Sequence, residues 1–545
     1  MIDDEAFPQL DAADVELIAT LGTRRQVHQG EYLYREGDQT YDFFVVVSGE
    51  VAVIVGVDGG EREIVRHGAG RFLGELNMLT GLRVFVSTRV TRSGEVIVVP
   101  RDRLRQLMAT NPRLGDTILA AFIARRSILM EGAAPTIRVI GSRFSPESLR
   151  VREFLARIRV PHEWIDSEAD PGVDALLRQF SLAPSDLPVV IATGAVLRNP
   201  TPGQLSSYLG LTLESLPERC FDLVVVGGGP AGLAAAVYGA SEGLHTLGVE
   251  MTAPGGQAGT SSRIENYLGF PMGISGSDLT QRAVIQAEKF GARLTVPCTA
   301  NSLRNKGGYL VVELSDGSEV AGRAVVAATG ANYRRLDADH LSDFEGRGVY
   351  YAATEMEARQ CRGAPVVVAG GGNSAGQAAI FLAQNSSPVV IVIRGDDLGK
   401  SMSRYLVDRI EANPAITVRT DTTISALQGD ETLRALDVKG PEGLHVVECA
   451  GLFSFIGADP ASQWISGCAA LDDRNFVLTD AALTAEDLGD DWESLGRTPL
   501  PFETSHPGLF AVGDLRSGSI KRVAAAVGEG SAAVRAVHQH LAFSH

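Results

Sequence analysis

Short apolar runs divided by glycine turns fill the first part of the chain. Phe43-Phe44-Val45-Val46-Val47, Val51-Ala52-Val53-Ile54-Val55 and Val96-Ile97-Val98-Val99 are separated by Gly37, Gly49, Gly59-Gly60 and Gly68. Runs of this length, rich in β-branched residues, predict the strands of a small β-roll or barrel. From Arg101 to Leu129 the apolar positions recur at helical spacing, which predicts a helix closing the roll. The rhythm then changes. Thr136–Ile140, His162–Asp166, Leu187–Ile191 and Ala195–Leu197 read as strands, the last two forming a hairpin around Thr193-Gly194. Helices are predicted at Pro146–Ile158, Val173–Phe180 and Pro202–Leu209. A short linker with Pro217 leads into a third segment, where the runs are uniformly apolar rather than alternating. That is the pattern of parallel strands buried on both faces.

Two of those runs, Leu223–Val226 and Val366–Ala369, lead into Gly227-Gly228-Gly229-Pro230-Ala231-Gly232 and Gly370-Gly371-Gly372-Asn373-Ser374-Ala375. An alanine-rich helical stretch follows each. Strand, glycines and helix in this order form a phosphate-binding turn: the glycines let the backbone approach a pyrophosphate that rests on the helix N-terminus. Two such turns predict two dinucleotides, most economically a flavin and the nicotinamide that reduces it. Glu250 lies about 20 residues beyond the first turn, the spacing of a carboxylate for an adenosine ribose. After the second, Val390–Arg394 ends in Arg394 with no acid at its tip, which favours a 2′-phosphate and hence NADPH. Gly395 follows it, and Lys400 and Arg404 supply further cations nearby.

Composition narrows the partners. The net charge is −17 over 545 residues, so nucleic acid is a poor partner. The five cysteines, Cys220, Cys298, Cys361, Cys449 and Cys468, are scattered and contain no Cys-x-x-Cys. That argues against a disulfide framework or a zinc site, and no metal is expected. The uncharged stretch from Gly363 to Ile393 contains a triple glycine and several amides, so it reads as a buried parallel-sheet unit rather than a membrane helix. With no secretory leader at the start, a cytoplasmic protein without a membrane partner is expected.

Within the roll, Phe72-Leu73-Gly74-Glu75-Leu76 followed by Gly81-Leu82-Arg83 resembles the phosphate-binding cassette of cyclic nucleotide-binding domains. The resemblance implies that Gly74 shapes the turn, Glu75 takes the ribose 2′-hydroxyl and Arg83 pairs with the cyclic phosphate. The Glu-to-Arg spacing is about one residue short of that family's, and Val84-Phe85 stand where it prefers small residues. No helix-turn-helix follows, so a transcription factor is not indicated. The second segment resembles the glutaredoxin and thioredoxin fold, with Pro188 in the place of that family's cis-proline. Its dithiol position reads Ser145-Pro146-Glu147-Ser148, and serine cannot exchange with disulfides. An adaptor, a signal-transmitting spacer or a thiol-free binding platform is implied.

The third segment carries Pro254–Gly259, Ile264–Pro271, Ala328-Thr329-Gly330, Gly451–Gly457 and Gly508–Asp514 in addition to the two turns. Together these closely resemble the low-molecular-weight thioredoxin reductases. The resemblance implies FAD held by Gly227, Gly229 and Gly232 at the pyrophosphate and by Glu250 at the ribose. Gly256, Gln257 and Asn266 would lie along the flavin, and Asp514 at the ribityl or phosphate oxygens. Arg522 and Val523 would begin a helix aimed at the pyrimidine end, where dipole and charge stabilise reduced flavin. NADPH would lie on Gly370, Gly372, Asn373, Ser374, Arg394 and Lys400. A homodimer is implied as well. The fold class expected is multidomain α+β and α/β, in four units: a cyclic nucleotide-binding-like β-roll with a C-terminal helix, 1–133; a thioredoxin-like α/β module, 134–212; a Rossmann-like FAD lobe, 218–335 and 456–545; and an NAD(P) lobe, 336–455.

One departure bears on the chemistry. Where thioredoxin reductases carry Cys-x-x-Cys, this chain has Ala352-Ala353-Thr354-Glu355, and Cys361 is too far along to replace either thiol. The sequence therefore predicts an NADPH-dependent flavoprotein that delivers electrons to an external acceptor, as the dithiol-free ferredoxin/flavodoxin–NADP reductases of this scaffold do. Glu355 is a candidate proton donor beside the flavin; the competing reading is a helix-start acid. A redox or cyclic-nucleotide sensor with a flavin that does not turn over, and a disulfide reductase that borrows a partner's thiols, stay open as alternatives.

Overall fold

The computed structural model describes residues 5–543 apart from 58–59, 131–136, 213–219, 262, 346, 354, 362 and 385–387; of 57, 355, 356, 360, 490, 491 and 494 it describes the backbone alone. The expected linker around Pro217 lies outside the described residues.

The roll is an antiparallel six-stranded sheet whose central strands are Phe43–Val57 and Ser87–Val99. The first of these is apolar on both faces because the sheet curls round it. Phe43 and Val45 join a cluster with Phe72, Ile118 and Phe122, while Phe44 and Val46 join one with Tyr34, Leu73 and Val86. The single helix expected over Arg101–Leu129 is two, Arg101–Thr110 and Pro112–Met130. Proline cannot donate in a continuing helix and disfavours helical geometry in the residue before it. Asn111, at ψ 88°, breaks the first helix, and its side chain accepts from Leu114 N at 3.1 Å to cap the second.

The second segment is a four-stranded sheet in the order Ala195–Arg198, Val189–Ala192, Ile137–Gly141, His162–Asp166. Ile137–Gly141 runs parallel to His162–Asp166 and antiparallel to Val189–Ala192. The Leu187–Pro188 bond is cis.

In the third segment, strands Arg293–Thr295, Thr246–Val249, Cys220–Val226, Glu319–Ala327 and Leu509–Ala511 pair in parallel. Early and late parts of the chain therefore share one sheet. A second parallel sheet is ordered Val349–Tyr350, Gly451–Ser454, Val366–Ala369, Val389–Val392, Ile416–Arg419. The chain passes between the two sheets along Ala331–Tyr333 and returns along Ala458–Pro460, and these two strands pair with each other. The uncharged stretch folds as strand Val366–Ala369, helix Asn373–Gln384 and strand Val389–Val392. No helix among the described residues is long and apolar enough to cross a membrane.

The helix Gly276–Lys289 of the first parallel sheet is where the segments meet. Its Ile285 completes the apolar core of the roll, Lys289 pairs with Asp116 at 3.5 Å, and Asp278 pairs with Arg159 at 2.6 Å. Glu288 is buried there beside Arg101, Arg105, Arg126 and Arg293. Burial pushes its carboxyl up to about 7, against the pull of those arginines.

Candidate active site

The first glycine turn has no room for a side chain at Gly227 or Gly232. Gly227 adopts φ +109°, and a Cβ there would sit 2.3 Å from Ala328 O. A Cβ on Gly232 would sit 1.8 Å from Gly227 O, so the helix Pro230–Ser241 starts in direct contact with the turn. Gly229 faces only the Gly256 Cα, at 4.0 Å, and a Cβ on Gly256 would lie 2.9 Å from the Gly229 Cα. The two loops thus face each other across a cradle that backbone alone can line. Glu250 is buried at the end of strand Thr246–Val249. Its Oε2 accepts from Gly228 N at 2.6 Å and its Oε1 from Thr252 N at 2.9 Å, which leaves lone pairs on both oxygens for ribose hydroxyls. These residues fit an ADP-containing cofactor.

The far wall comes from the C-terminal part of the chain. Asp514 lies in the turn Gly513–Leu515, where burial pushes its carboxyl up and Lys521 opposes the shift. The turn is pinned by Glu529, which accepts from Gly513 N at 2.7 Å and pairs with Arg516 at 2.7 Å. The helix Val523–Phe543 begins where the sequence places it, with Arg522 exposed just before. Gln257 donates to Ala331 O beside the crossing strands, whereas Asn266 is exposed. Lys521 and Tyr333 were not singled out from the sequence. The only sequence signal for Lys521 is its place next to Arg522; Tyr333, whose phenol burial raises to about 12 with Asp514 adding to the shift, carries none.

The second turn is more open. Gly370 has φ +132° with no room for a Cβ, but a Cβ on Gly372 would meet nothing within 4 Å. Asn373 accepts from Ser403 N at 2.7 Å, so its carbonyl anchors the neighbouring loop; Ser374 is exposed. The strand ends at Val392, and Arg394 stands exposed beyond it with no carboxylate partner among the described residues. Lys400 pairs instead with Asp396 at 2.5 Å. Glu265 and Arg409, from opposite sides of the crossing strands, pair at 2.5 Å.

At the dithiol position Ala352 is half-buried and Ala353 buried. A helix, Glu355–Gln360, begins there, but the Glu355 side chain lies outside the described residues. None of the five cysteines forms a disulfide. Burial pushes the thiols of Cys361 and Cys298 up to about 11 and that of Cys449 to about 12, far from the thiolate that exchange requires. Among the described residues no three metal-ligating side chains converge.

In the roll, the structure does not bring Glu75 and Arg83 together. Glu75 is buried and pairs with Arg126 at 2.8 Å. Gly74, at φ +130°, has its carbonyl held by Arg125 at 2.6 Å. Arg83 donates to Gly37 O within the roll at 3.0 Å and lies over the Tyr208 ring of the second segment, 5.1 Å from its centroid. In that segment Ser145 caps the helix Pro146–Arg157, accepting from Ser148 N at 3.1 Å, and Ser148 is buried against Gly141.

The family described as pyridine nucleotide-disulphide oxidoreductase matches residues 221–530, and the cyclic nucleotide-binding domain family matches residues 24–111. The chain is similar to the thioredoxin reductase of Mycolicibacterium smegmatis, 32% identical over 323 residues, covering 58% of this chain and 96% of that protein. It is 30% identical over 327 residues to the thioredoxin reductase of Treponema pallidum, covering 59% and 98%. Among solved structures, Lactococcus lactis thioredoxin reductase in its FR conformation superposes with a TM-score of 0.53 at 27% identity, over 59% of this chain and 99% of that one. The chain belongs to the pyridine nucleotide-disulphide oxidoreductase family: it is a thioredoxin reductase-like, NAD(P)H-dependent flavoprotein oxidoreductase using FAD and NADPH, with a cyclic nucleotide-binding domain at its N-terminal side.

Proposed function

We propose that this enzyme carries electrons from NADPH to an acceptor outside its own chain, without an internal dithiol. The carrying observation is the absence of a thiol at Ala352 and Glu355, together with burial that keeps Cys361 and Cys449 protonated. Bound flavin supplies hydride acceptance from the nicotinamide and onward electron transfer. The chain's own residues bind and orient. Gly227, Gly229, Gly232 and Gly256 let the backbone approach the pyrophosphate, and Glu250 receives ribose hydroxyls. Asp514 serves the ribityl or phosphate oxygens, Gln257 and Asn266 flank the ring, and Arg522 with the amide of Val523 offsets charge at its pyrimidine end. Gly370, Gly372, Asn373 and Ser374 hold the nicotinamide dinucleotide, with Arg394 at the 2′-phosphate and Lys400 close by. Glu355 is assigned to hold a proton near the reacting ring.

The division into units at 1–133, 134–212, 218–335 with 456–545, and 336–455 belongs to the same reading. So do a thiol-free glutaredoxin-like role for the second unit, a homodimer and a cytoplasmic setting. The roll is read as a regulatory module for a cyclic nucleotide, supported by the family match over 24–111 and by Glu75 at the edge of its cavity.

The test is rapid reduction of the purified flavoprotein by NADPH, followed by turnover with ferricyanide, a quinone and a disulfide. Turnover with ferricyanide or quinone above roughly a few per second is expected. Reduction without turnover on any acceptor would overturn the reading in favour of a sensor. Turnover on the disulfide alone, lost when a partner's cysteines are removed, would favour thiol borrowing. Glu355→Gln should lower the rate of flavin reoxidation and change its pH profile; an unchanged profile removes Glu355 from the chemistry.

A further inference from the structure

The roll contains a cavity between the sheet and the helix Pro112–Met130, lined by Tyr34, Val53, Ile64, Leu73, Val86 and Leu129 and bounded by His67, Glu75 and Arg125. Most of its wall is apolar. The three polar groups at its edge are not fully used. Glu75 spends Oε2 on Arg126, while its buried Oε1 has no hydrogen-bond partner. The buried His67 Nδ1 has none either. Arg125 donates to Ala6 O at 2.8 Å, Gly74 O at 2.6 Å and Phe72 O at 3.1 Å, which uses three of its guanidinium N–H groups and leaves two. It is 8% exposed, yet no carboxylate pairs with it among the described residues. Glu75 and Arg126 cancel, and burial keeps His67 neutral, pulling its pKa down to about 3. The cavity wall therefore carries one uncompensated positive charge in a low-dielectric setting, and a buried charge without a counter-ion is costly.

We propose that this cavity binds a small organic monoanion with an apolar body and a hydroxyl: Arg125 of the helix takes the negative group, Glu75 Oε1 accepts from the hydroxyl, and Arg83 takes no part. The inference rests on the reading of the roll as a ligand-binding module but departs from it at the anion anchor. Arg83 cannot serve both ends. Its guanidinium is on Gly37 O and Tyr208, its backbone N–H is on Leu209 O at 3.2 Å, and it lines a different cleft with Glu36, Thr193 and Tyr208. The cassette arginine has become a tether to the second unit, and the charge that a ligand needs comes from the helix instead. Occupancy would be felt by Arg126, which joins Glu75 to Asn77 and to Arg159 O, 3.2 Å away, and so to the Arg159–Asp278 pair on the reductase helix.

Two ligand sources share this chemistry, cyclic nucleotides and hydroxy fatty acids, so calorimetry on the full-length flavoprotein has two arms. One uses cyclic AMP and cyclic GMP with adenosine as the neutral counterpart; the other uses 3-hydroxyoctanoate with 1,3-octanediol. In at least one arm the anion should bind about tenfold or more tightly than its neutral counterpart. Arg125→Gln should weaken it by at least about tenfold, and Arg83→Ala should change it by less than about twofold. Loss of binding in Arg83→Ala with retention in Arg125→Gln would overturn the anchor while keeping the roll a binding module. Binding by no probe would overturn both. If Arg125→Gln fails to fold, judged by circular dichroism, Arg83→Ala and the anion-to-neutral ratio still decide: loss in the former, or a ratio near one, defeats the proposal.

Discussion

The two glycine turns have nearly the same sequence and the same strand–turn–helix setting, yet their own residues close them differently. At the first, helix and turn touch: Gly232 has no room for a methyl, and a buried acid, Glu250, ties the turn to the next strand. At the second, Ala375 stands where Gly232 would, and its methyl is buried without displacing the turn. The strand tip carries an exposed Arg394 instead of a buried acid. A sealed, internally bonded cradle suits a cofactor that stays; an open one with an exposed cation suits a dinucleotide that arrives and leaves. Fingerprint and fold are shared, and the difference lies in what satisfies the turn when no ligand does.

The sharpest way to break this contrast is a matched pair of small changes. Gly232→Ala places a methyl 1.8 Å from Gly227 O, so the purified protein should lose most of its flavin, on the order of tenfold less per chain. The reverse change, Ala375→Gly, should cost only about 1 kcal/mol of helix stability and leave flavin content intact. Flavin absorbance per chain checks both, and equal effects would end the distinction. Glu250→Ala removes the acceptors of two backbone N–H groups, of which the buried one at Gly228 costs about 1–3 kcal/mol when left unpaired. Flavin should then be released at a lower temperature, with Glu250→Gln less severe. Arg394→Ala should raise KM for NADPH about tenfold, leaving kcat and the KM for NADH unchanged, as expected when uniform binding to the 2′-phosphate is lost. Equal effects on both nucleotides would mean that Arg394 does not read the phosphate.

A smaller effect tests the seam between reductase and roll. The Glu288 carboxyl is raised by burial from 4.5 to about 7. Its folded form holds a proton that the unfolded form has lost, so its contribution to stability is complete below about pH 4.5 and fades as pH rises through about 7. The melting temperature should fall by a few degrees across that window, and Glu288→Gln should flatten the fall. Smallest of all, Cys361→Ser and Cys449→Ser should leave turnover unchanged. A clear loss of activity there would restore a thiol route.

Much of this was legible in the chain. Runs of β-branched residues meeting glycine and then alanine-rich helix marked both parallel sheets, because burial on both faces allows little else. The positions of Gly227, Gly370 and Glu250 followed from turn geometry and spacing, and the absence of cysteine at Ala352 and Glu355 needed no structure. Other features depend on side-chain direction and on contacts between distant segments, which spacing does not encode. Arg101–Leu129 is helical in pattern throughout, yet Asn111 and Pro112 break it. Glu75 and Arg83 lie close in sequence but face different clefts, because Tyr208 and Gly37 draw the arginine away. Lys521 comes within electrostatic reach of Asp514 in the turn that Glu529 pins. The sequence by itself determined the fold class, the two dinucleotide turns and the absence of cysteine at Ala352 and Glu355, since each rests on local pattern and residue type. Only the tertiary structure decided which charges meet: Glu75 with Arg126, Glu288 among four arginines, and Arg125 with no carboxylate among the described residues, because the packing of separate segments sets which ionic groups are brought within reach.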